Sequence, residues 1–181
     1  MRLEQETPHL YMRVLTKEYA SQVLEFYQNN AETFEKYEPI VGKDFYSLRY
    51  HEKLLQHEYN EIIKLRMLRF WLFEKNRPNK IIGTISFHNI TPDIFSSASV
   101  GYKMDADFRR RGYCYEALVS GIYLVSKEIG IRRFEALVLP ENAPSISLLE
   151  KLEFSREGLL KEKVFLQNQW RDHYLYSLLI K

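Results

Sequence analysis

The sequence predicts an α+β fold in which one mixed, mostly antiparallel sheet is flanked by about four helices. Three observations support this prediction. Short apolar runs rich in aromatic and β-branched residues are interspersed with longer stretches of helical spacing, and nothing repeats at a fixed period. Two of the runs are joined by a hairpin-type turn, which predicts antiparallel strands. Two others enclose a helix, which predicts a parallel pair with a right-handed crossover.

The composition limits the domain organisation and the class of function. The chain has 181 residues, 45% of them hydrophobic, and no Gly/Ser-rich or Pro-rich segment divides it, so residues 1–181 are expected to form a single domain. A net charge of +2 is too small to indicate general binding to DNA. The single cysteine, Cys114, excludes a disulfide framework and a cysteine-rich zinc site, and no metal site is predicted.

The segment of residues 1–9 is charged and has no apolar signal core, and no run of about eighteen apolar residues follows it. We therefore expect a cytoplasmic protein with no membrane contact.

The N-terminal third is predicted to hold one strand and two helices. An apolar run at 10–15 predicts the strand, and Thr16 is placed to cap a helix that ends near Asn29. A loop follows at 37–39, and Asp44 is placed to cap the second helix. The apolar stripe of that helix is predicted to contain Phe45, Leu48, Leu55, Tyr59 and Ile62.

The middle of the chain predicts three strands and a buried helix. Residues 67–73 and 81–87 form a hairpin, and a third strand at 97–104 leads to a glycine turn at Gly112. The helix after the turn is expected to end at Gly130. Its apolar stripe contains Cys114, Ala117, Leu118, Ile122 and Val125.

The C-terminal part predicts three strands and a short helix. Residues 134–139 form a strand, and Leu148, Leu149 and Leu152 mark the helix. The last strands, 160–166 and 174–180, flank a polar turn at 167–172. Within that turn we expect Asp172 to bind the backbone and Trp170 to cover the core.

Residues 109–114, Arg-Arg-Arg-Gly-Tyr-Cys, are the candidate anion site. A helix that begins at a glycine turn presents unpaired backbone N–H groups and the positive end of its dipole, which suits a pyrophosphate. No Gly-Lys-Ser/Thr sequence occurs, so the turn is not a Walker loop, and the glycines are too scattered for the dinucleotide pattern. A solvated arginine cluster beside a plain turn is the alternative that these residues leave open.

The wider pattern resembles the GNAT acetyltransferase superfamily, and most closely its RimJ/RimL branch, which acetylates the N-termini of ribosomal proteins. The similarity covers nearly the whole chain and is strongest from about Gly83 onward. It is carried by Gly-Tyr at 101–102, Arg-x-x-Gly-x-Cys at 109–114, Tyr-Glu-Ala-Leu at 115–118, Asn-Ala-Pro-Ser at 142–145, residues 148–154, Glu-Gly at 157–158, and Gln-Trp-Arg-Asp-His at 169–173.

This resemblance implies that acetyl-CoA lies between the strands 97–104 and 134–139, which splay apart in the family. The pantetheine arm would bind main-chain groups near residues 102–104, and the pyrophosphate would lie on the N–H groups of 109–114. Asn142 would bind the arm near the thioester, although from the residues alone it could equally cap the next helix. The expected cofactor contacts are Tyr102, Lys103, Met104, Arg109, Arg110, Arg111, Gly112, Tyr113, Cys114 and Asn142.

The chemistry implied by the resemblance is attack of a neutral amine on a thioester, which requires protonation of the leaving thiolate. Many family members use a tyrosine seven residues after the asparagine, but that position is Leu149 here. Ser145 is therefore the candidate acid, with Asn142 beside it, and helix capping is the alternative role for Ser145. Cys114 could suggest an acyl-cysteine route, but its place on the apolar stripe is more typical of a core residue.

The general base is left open. Some relatives carry a glutamate where this chain has Ser99, and the candidates by residue type are Glu38, Glu74, Glu116 and His88. An α-amine has an ordinary pKa of about 7.7–8.0, against about 10.4 for lysine, so at pH 7.4 roughly a quarter of it is neutral, compared with about one part in a thousand for lysine. The missing carboxylate therefore favours an N-terminal amine, or another amine of low pKa, over lysine.

Three functional hypotheses follow. The first is acetylation of a protein N-terminus by direct attack in a ternary complex. The second is the same reaction on a small amine such as an antibiotic or a polyamine. The third, a non-catalytic CoA-binding module, is motivated by Leu149 and Ser99. The partners expected are acetyl-CoA and a peptide N-terminus or small amine, and the oligomeric state is open between a monomer and a homodimer.

Overall fold

The structure, a computed structural model, describes residues 3–181; the first two residues of the segment expected to lack a signal core lie outside the described part. It contains eight strands and five α-helices. The strands are β1 (Glu4–Glu6), β2 (Leu10–Arg13), β3 (Leu68–Glu74), β4 (Ile81–Thr91), β5 (Ser97–Met104), β6 (Arg133–Val138), β7 (Ser155–Leu166) and β8 (Gln169–Leu179). The helices are α1 (Ala20–Asn29), α2 (Ala31–Phe34), α3 (Leu48–Ile63), α4 (Tyr113–Ile129) and α5 (Ala143–Lys151).

One mixed sheet contains all eight strands in the order β1-β2-β3-β4-β5-β6-β8-β7. The neighbouring strands are antiparallel except for β5 and β6, which are parallel. The predicted fold class is therefore confirmed. None of the helices in the described residues is long and apolar enough to cross a membrane.

The two faces of the sheet carry separate apolar layers. α4 packs on one face, where the core includes Phe70, Phe87, Leu118, Val125 and Phe134. α1 and α3 pack on the other face, where the core includes Val23, Phe26, Leu55, Trp71 and Phe73. Because helices cover both faces, β3 and β4 are buried on both sides over most of their length.

Gly121 allows α4 to approach β4. A Cβ atom at this position would lie 2.7 Å from Ile85 Cδ1 and 3.0 Å from the Phe87 ring. The absence of a side chain at Gly121 therefore sets the distance between α4 and the sheet.

The prediction that Thr16 caps a helix directly is wrong. A short 3-10 turn, Lys17–Tyr19, comes between Thr16 and α1. The Thr16 side chain makes no capping hydrogen bond to the backbone, because its hydroxyl donates instead to the Glu18 carboxylate.

The prediction that Asp44 caps the second helix is also wrong. Asp44 lies inside another 3-10 turn, Lys43–Tyr46, and the Ser47 hydroxyl caps α3 by accepting from the Tyr50 N–H at 3.3 Å. The apolar stripe differs as well, because Leu48 is 47% exposed. The residues that α3 buries are His51, Leu55, Glu58 and Ile62.

The polar turn predicted at 167–172 is shorter than expected. Only Gln167 and Asn168 form the turn, with left-handed φ values of 51° and 61° that are typical of a two-residue hairpin. Asp172 does accept a backbone hydrogen bond, from the Glu162 N–H at 2.8 Å. Trp170 does not cover the core, since it is 59% exposed. Its ring packs instead against the ring of Phe165 on the paired strand, with the two centres 5.5 Å apart.

Candidate active site

The parallel pair β5 and β6 opens into a wedge. The two strands pair only through Ser97, Ala98 and Ser99 of β5. Beyond that point β5 continues along β4 as far as Met104, and β6 continues along β8. Within the described residues, the backbone groups of Gly101–Met104 that face β6 therefore lack a strand partner. Such an edge can bind the amide groups of an extended ligand.

The turn that follows β5 has a backbone suited to an anion. Arg110 and Gly112 adopt left-handed φ values of 59° and 83°. Gly112 is the N-cap of α4 and has no side chain to satisfy the first N–H groups of the helix. These N–H groups and the helix dipole form a concave positive site at the end of the wedge. An open cavity of about 660 Å³ lies against the same turn, between the start of α4 and the residues that connect β1 to β2, and no residue of β5, β6 or α5 lines it.

Two of the three arginines of the turn contact other groups of the protein. Arg109 Nε lies 3.4 Å from the Met104 carbonyl oxygen, and Arg111 Nη2 donates to the Asp107 carbonyl oxygen at 2.9 Å. Arg111 also stacks over the Phe108 ring, with its guanidinium carbon 5.0 Å from the ring centre. Because Arg109 and Arg111 contact the protein itself, the anion site consists mainly of backbone.

Asn142 and Ser145 lie at the start of α5, on the other wall of the wedge. The Asn142 side-chain oxygen accepts from the Ser145 N–H at 3.3 Å. The structure thus shows the capping role that the residues alone left open. An amide that caps with its oxygen keeps its NH₂ group as a donor, so capping and a cofactor contact are compatible.

Tyr102 connects the two walls. Its hydroxyl oxygen lies 2.5 Å from Ser145 Oγ and 3.5 Å from the Ser145 carbonyl oxygen. Burial raises the pKa of Tyr102, opposed by this hydrogen bond and assisted by nearby Cys114. Burial also raises the pKa of Cys114 to about 12. A thiol that stays protonated at neutral pH is a poor nucleophile, which argues against the acyl-cysteine route.

Comparison with known proteins agrees with this geometry. A family model described as an acetyltransferase (GNAT) domain matches residues 9–155. The chain belongs to the GNAT acetyltransferase family. It is 28% identical over 174 residues to the ribosomal protein uS5-alanine N-acetyltransferase of Escherichia coli (strain K12), covering 95% of this chain and 88% of that protein. The enzyme is thus an N-acetyltransferase with acetyl-CoA as its acetyl donor.

Solved structures show the same relationship. The ribosomal-protein-S5-alanine acetyltransferase from Vibrio fischeri matches with a TM-score of 0.92 and 26% identity, covering 98% of this chain and 97% of that one. Mycobacterium smegmatis RimJ in complex with CoA-disulfide matches with a TM-score of 0.87 and 25% identity, covering 94% of this chain and 81% of that one.

We call the face of the sheet covered by α1 and α3 the acceptor side, because it is the candidate place for the amine substrate. The Lys103 side chain points to this face, where its Nζ lies 2.7 Å from Glu38 Oε1 and 5.0 Å from the centre of the Tyr27 ring. The Lys103 side chain is therefore directed away from the wedge. The Gln167 side chain at the hairpin tip donates to the carbonyl oxygens of Glu35 and Glu38, so the tip is fastened to the segment after α2.

Two of the four candidate bases are engaged elsewhere in the enzyme. Glu116 accepts from the Thr7 hydroxyl at 2.5 Å, the His9 N–H at 2.9 Å and the His9 Nδ1 at 2.8 Å, and so ties α4 to the turn between β1 and β2. Glu74 accepts from the Tyr113 hydroxyl at 2.5 Å. Both carboxylates have structural roles.

Glu38 and His88 lie on the acceptor side. Glu38 is paired with Lys103, as described above. His88 on β4 pairs in register with Ser99, the last residue of β5 that pairs with β6. The His88 residue keeps part of its surface in solvent, yet desolvation of the ring and the charge of Arg69 lower its pKa. A neutral imidazole at this place is a proton acceptor.

The sequence pattern did not identify the Tyr102 side chain or the Lys103–Glu38 pair as parts of the site. The dipeptide Gly101-Tyr102 was noticed only as a family motif. Alternation along β5 was the available signal, because it places Tyr102 and Lys103 on opposite faces. Within the described residues there is no cluster of His, Cys, Asp and Glu that could hold a metal ion.

Proposed function

We propose that this acetyltransferase modifies the N-terminal α-amine of a protein, of the ribosomal-protein type, by direct attack of the amine in a ternary complex. The observation that carries this proposal is the chemistry of the acceptor side. Some members of the family carry a glutamate at the position of Ser99, and here Glu38, a carboxylate on this side, is paired with Lys103. An α-amine needs only a weak base, because a large fraction of it is already neutral near pH 7.4.

The names of the relatives support the same acceptor class. Proteins similar to this chain over nearly its full length include enzymes named for alanine acetylation of ribosomal protein uS5. The RimJ structure supports the proposed donor site, because that protein was solved with a CoA-disulfide. A ribosomal substrate would be met in the cytoplasm, and we propose that residues 1–181 act as one domain.

The wedge and the turn form the proposed donor site. The main-chain groups of β5 between Tyr102 and Met104 that face β6 would bind the pantetheine arm, because an extended amide ligand can replace the missing strand. The N–H groups of residues 109–114 would bind the pyrophosphate. When bound, acetyl-CoA supplies an activated acyl group whose carbonyl carbon accepts the amine.

Proton transfer is assigned to Ser145 and His88, and orientation of the pantetheine arm to Asn142. Ser145 would donate a proton to the leaving thiolate, since Leu149, at the position of the family tyrosine, is fully buried and apolar. Asn142 would orient the arm through its NH₂ group. His88 would receive the proton of the attacking amine through water, because it lies beside β5 where β6 separates.

A panel of acceptors tests the proposed function. Purified enzyme and acetyl-CoA are incubated with peptides that begin with alanine or serine, with the same peptides blocked at the N-terminus but containing a lysine, and with spermidine and an aminoglycoside. Thiol release and product mass are measured. We expect α-amines to be acetylated at least tenfold faster than the blocked peptides. Preferred turnover of spermidine or the aminoglycoside would assign the enzyme to small amines instead.

A further inference from the structure

The hydroxyl groups of Tyr102 and Ser145 form the direct side-chain contact between the two walls of the wedge. Tyr102 belongs to β5 and Ser145 to the first turn of α5, 43 residues later. The two oxygens are 2.5 Å apart and partly buried. The contact therefore lies where β5 and β6 have already separated, next to the proposed path of the pantetheine arm.

We propose that Tyr102 is a positioning residue for acetyl transfer, whose hydroxyl donates to Ser145 Oγ and leaves the Ser145 hydrogen available to the sulfur of CoA. This inference rests on the proposed function, in which Ser145 protonates the leaving thiolate.

The direction of the hydrogen bond follows from the acceptors around the phenol. Both Ser145 Oγ and the Ser145 carbonyl oxygen lie within reach of the Tyr102 hydroxyl, and the carbonyl can only accept. Ser145 Oγ, at 2.5 Å against 3.5 Å for the carbonyl oxygen, is the better placed acceptor, so we take the phenol as the donor to Oγ. A serine hydroxyl that accepts from a phenol is also a stronger donor to a third group, because hydrogen bonds in a chain polarise one another.

The proton balance is as follows. The amine nitrogen bonds to the acyl carbon, the C–S bond breaks, and its electron pair goes to sulfur, which takes the Ser145 proton. The proton lost by the nitrogen passes through water to His88, and it returns through water to the Ser145 oxygen after the thiol leaves. Tyr102 keeps its own proton throughout. Its hydrogen bond to Oγ strengthens while Oγ carries negative charge, since a bond to a charged acceptor is stronger than one to a neutral acceptor.

Tyr176→Phe provides a matched control for Tyr102→Phe. Tyr176 is a buried tyrosine of β8 whose hydroxyl also donates to α5, at 3.3 Å from Glu150 Oε1. Both substitutions remove one phenol oxygen that links the sheet to α5 and keep the ring. Only Tyr102 lies in the wedge.

The test compares wild type, Tyr102→Phe, Ser145→Ala, the double variant and Tyr176→Phe. We expect Tyr102→Phe to lower kcat about tenfold, as loss of one hydrogen bond to a charged group predicts, with KM for acetyl-CoA changed less than about twofold. Ser145→Ala should lower kcat at least as much, and the double variant should be no slower than Ser145→Ala. Tyr176→Phe should keep the wild-type kcat.

A second measurement does not depend on turnover. Ultraviolet absorbance of the thiolate of bound CoA, followed against pH, gives the pKa of the bound thiol. We expect this pKa to be higher in Tyr102→Phe and in Ser145→Ala than in wild type and Tyr176→Phe, because the donor to sulfur is weakened or lost.

Several results would overturn the inference while leaving acetylation of an α-amine by this enzyme intact. The first is an active wild type with the same kcat in Tyr102→Phe and Tyr176→Phe. The others are an unchanged kcat in Ser145→Ala, and losses of kcat that multiply in the double variant. A larger loss in Tyr102→Phe than in Ser145→Ala would make the phenol itself the donor, and would also overturn it. A wild type that acetylates no amine of the panel defeats the proposed function before the variants are compared.

Discussion

Substitution of Gly112 tests whether the backbone of the turn binds CoA. Gly112 has a φ of 83°, and nothing lies within 4 Å of the place where its Cβ would be. The methyl group of Gly112→Ala therefore meets no steric obstacle. The remaining penalty is conformational, about 1–2 kcal/mol for an alanine in the left-handed region.

The expected loss of affinity follows from that penalty. If the turn of Gly112→Ala relaxes to negative φ in the free enzyme, CoA must restore the left-handed turn, and Kd rises about 5- to 30-fold. Gly112→Pro cannot adopt this conformation, because the proline ring holds φ at about −65°. The loss of affinity for CoA should therefore be larger in this variant. Arg110→Ala removes one exposed charge and should weaken binding less than about fivefold.

Gly130→Ala is the matched control. Gly130 ends α4 with a φ of 80°, and its Cβ position is equally empty. The same strain at the other end of the helix should lower the free energy of unfolding by about 1–2 kcal/mol and leave CoA affinity unchanged. Calorimetric titration with CoA and urea unfolding measure the two quantities. Weaker CoA binding in Arg110→Ala than in Gly112→Pro, or equal losses of affinity in Gly112→Ala and Gly130→Ala, would refute a backbone site.

Two further predictions concern the scaffold. Both ring nitrogens of the fully buried His51 lack a hydrogen-bond partner within the described residues, and burial lowers the pKa of His51. Below about pH 6.5 the unfolded chain binds a proton that the folded chain does not, so the free energy of unfolding should fall by up to about 1.4 kcal/mol per pH unit. Urea unfolding of His51→Phe should show a smaller dependence of this free energy on pH. An equal dependence in the variant and the wild type would exclude His51 as the cause. Gly121→Ala should lower the free energy of unfolding by about 1–3 kcal/mol, because its Cβ would lie 2.7 Å from Ile85 Cδ1; an unchanged urea midpoint would show that α4 can move aside.

The part of the fold from β3 to β6 could be predicted from local sequence signals. Gly112 and Gly130 both adopt the left-handed conformation that their positions predict, and they lie immediately before and immediately after α4. The strand at Ser97–Met104 was predicted with its observed bounds. Glycine turns and strand patterns of this kind depend on neighbouring residues alone, so long-range packing does not change them.

The errors arose where local signals were ambiguous. Asp44 and Ser47 are both good helix caps three residues apart, and the sequence offers no reason to choose between them. The buried stripe of α3 was hidden because His51 and Glu58 are polar. Glu58 is buried through its ion pair with Arg69, at 2.8 Å, and that contact depends on where β3 lies.

The candidate site could be predicted only in part for a related reason. The turn at 109–114 is a local motif, so its geometry was predictable. The contact between Tyr102 and Ser145 joins residues 43 apart and exists because β5 and β6 separate after Ser99. No local pattern in β5 specifies where that separation begins.

A crystal structure of the enzyme with CoA bound would test the central claim most directly. We predict that the pantetheine arm lies between β5 and β6 against the main chain of residues 102–104, that the pyrophosphate contacts the N–H groups of residues 109–114, and that the sulfur lies within hydrogen-bonding distance of Ser145 Oγ. CoA bound outside the wedge, or a sulfur remote from both Ser145 and Tyr102, would contradict the account.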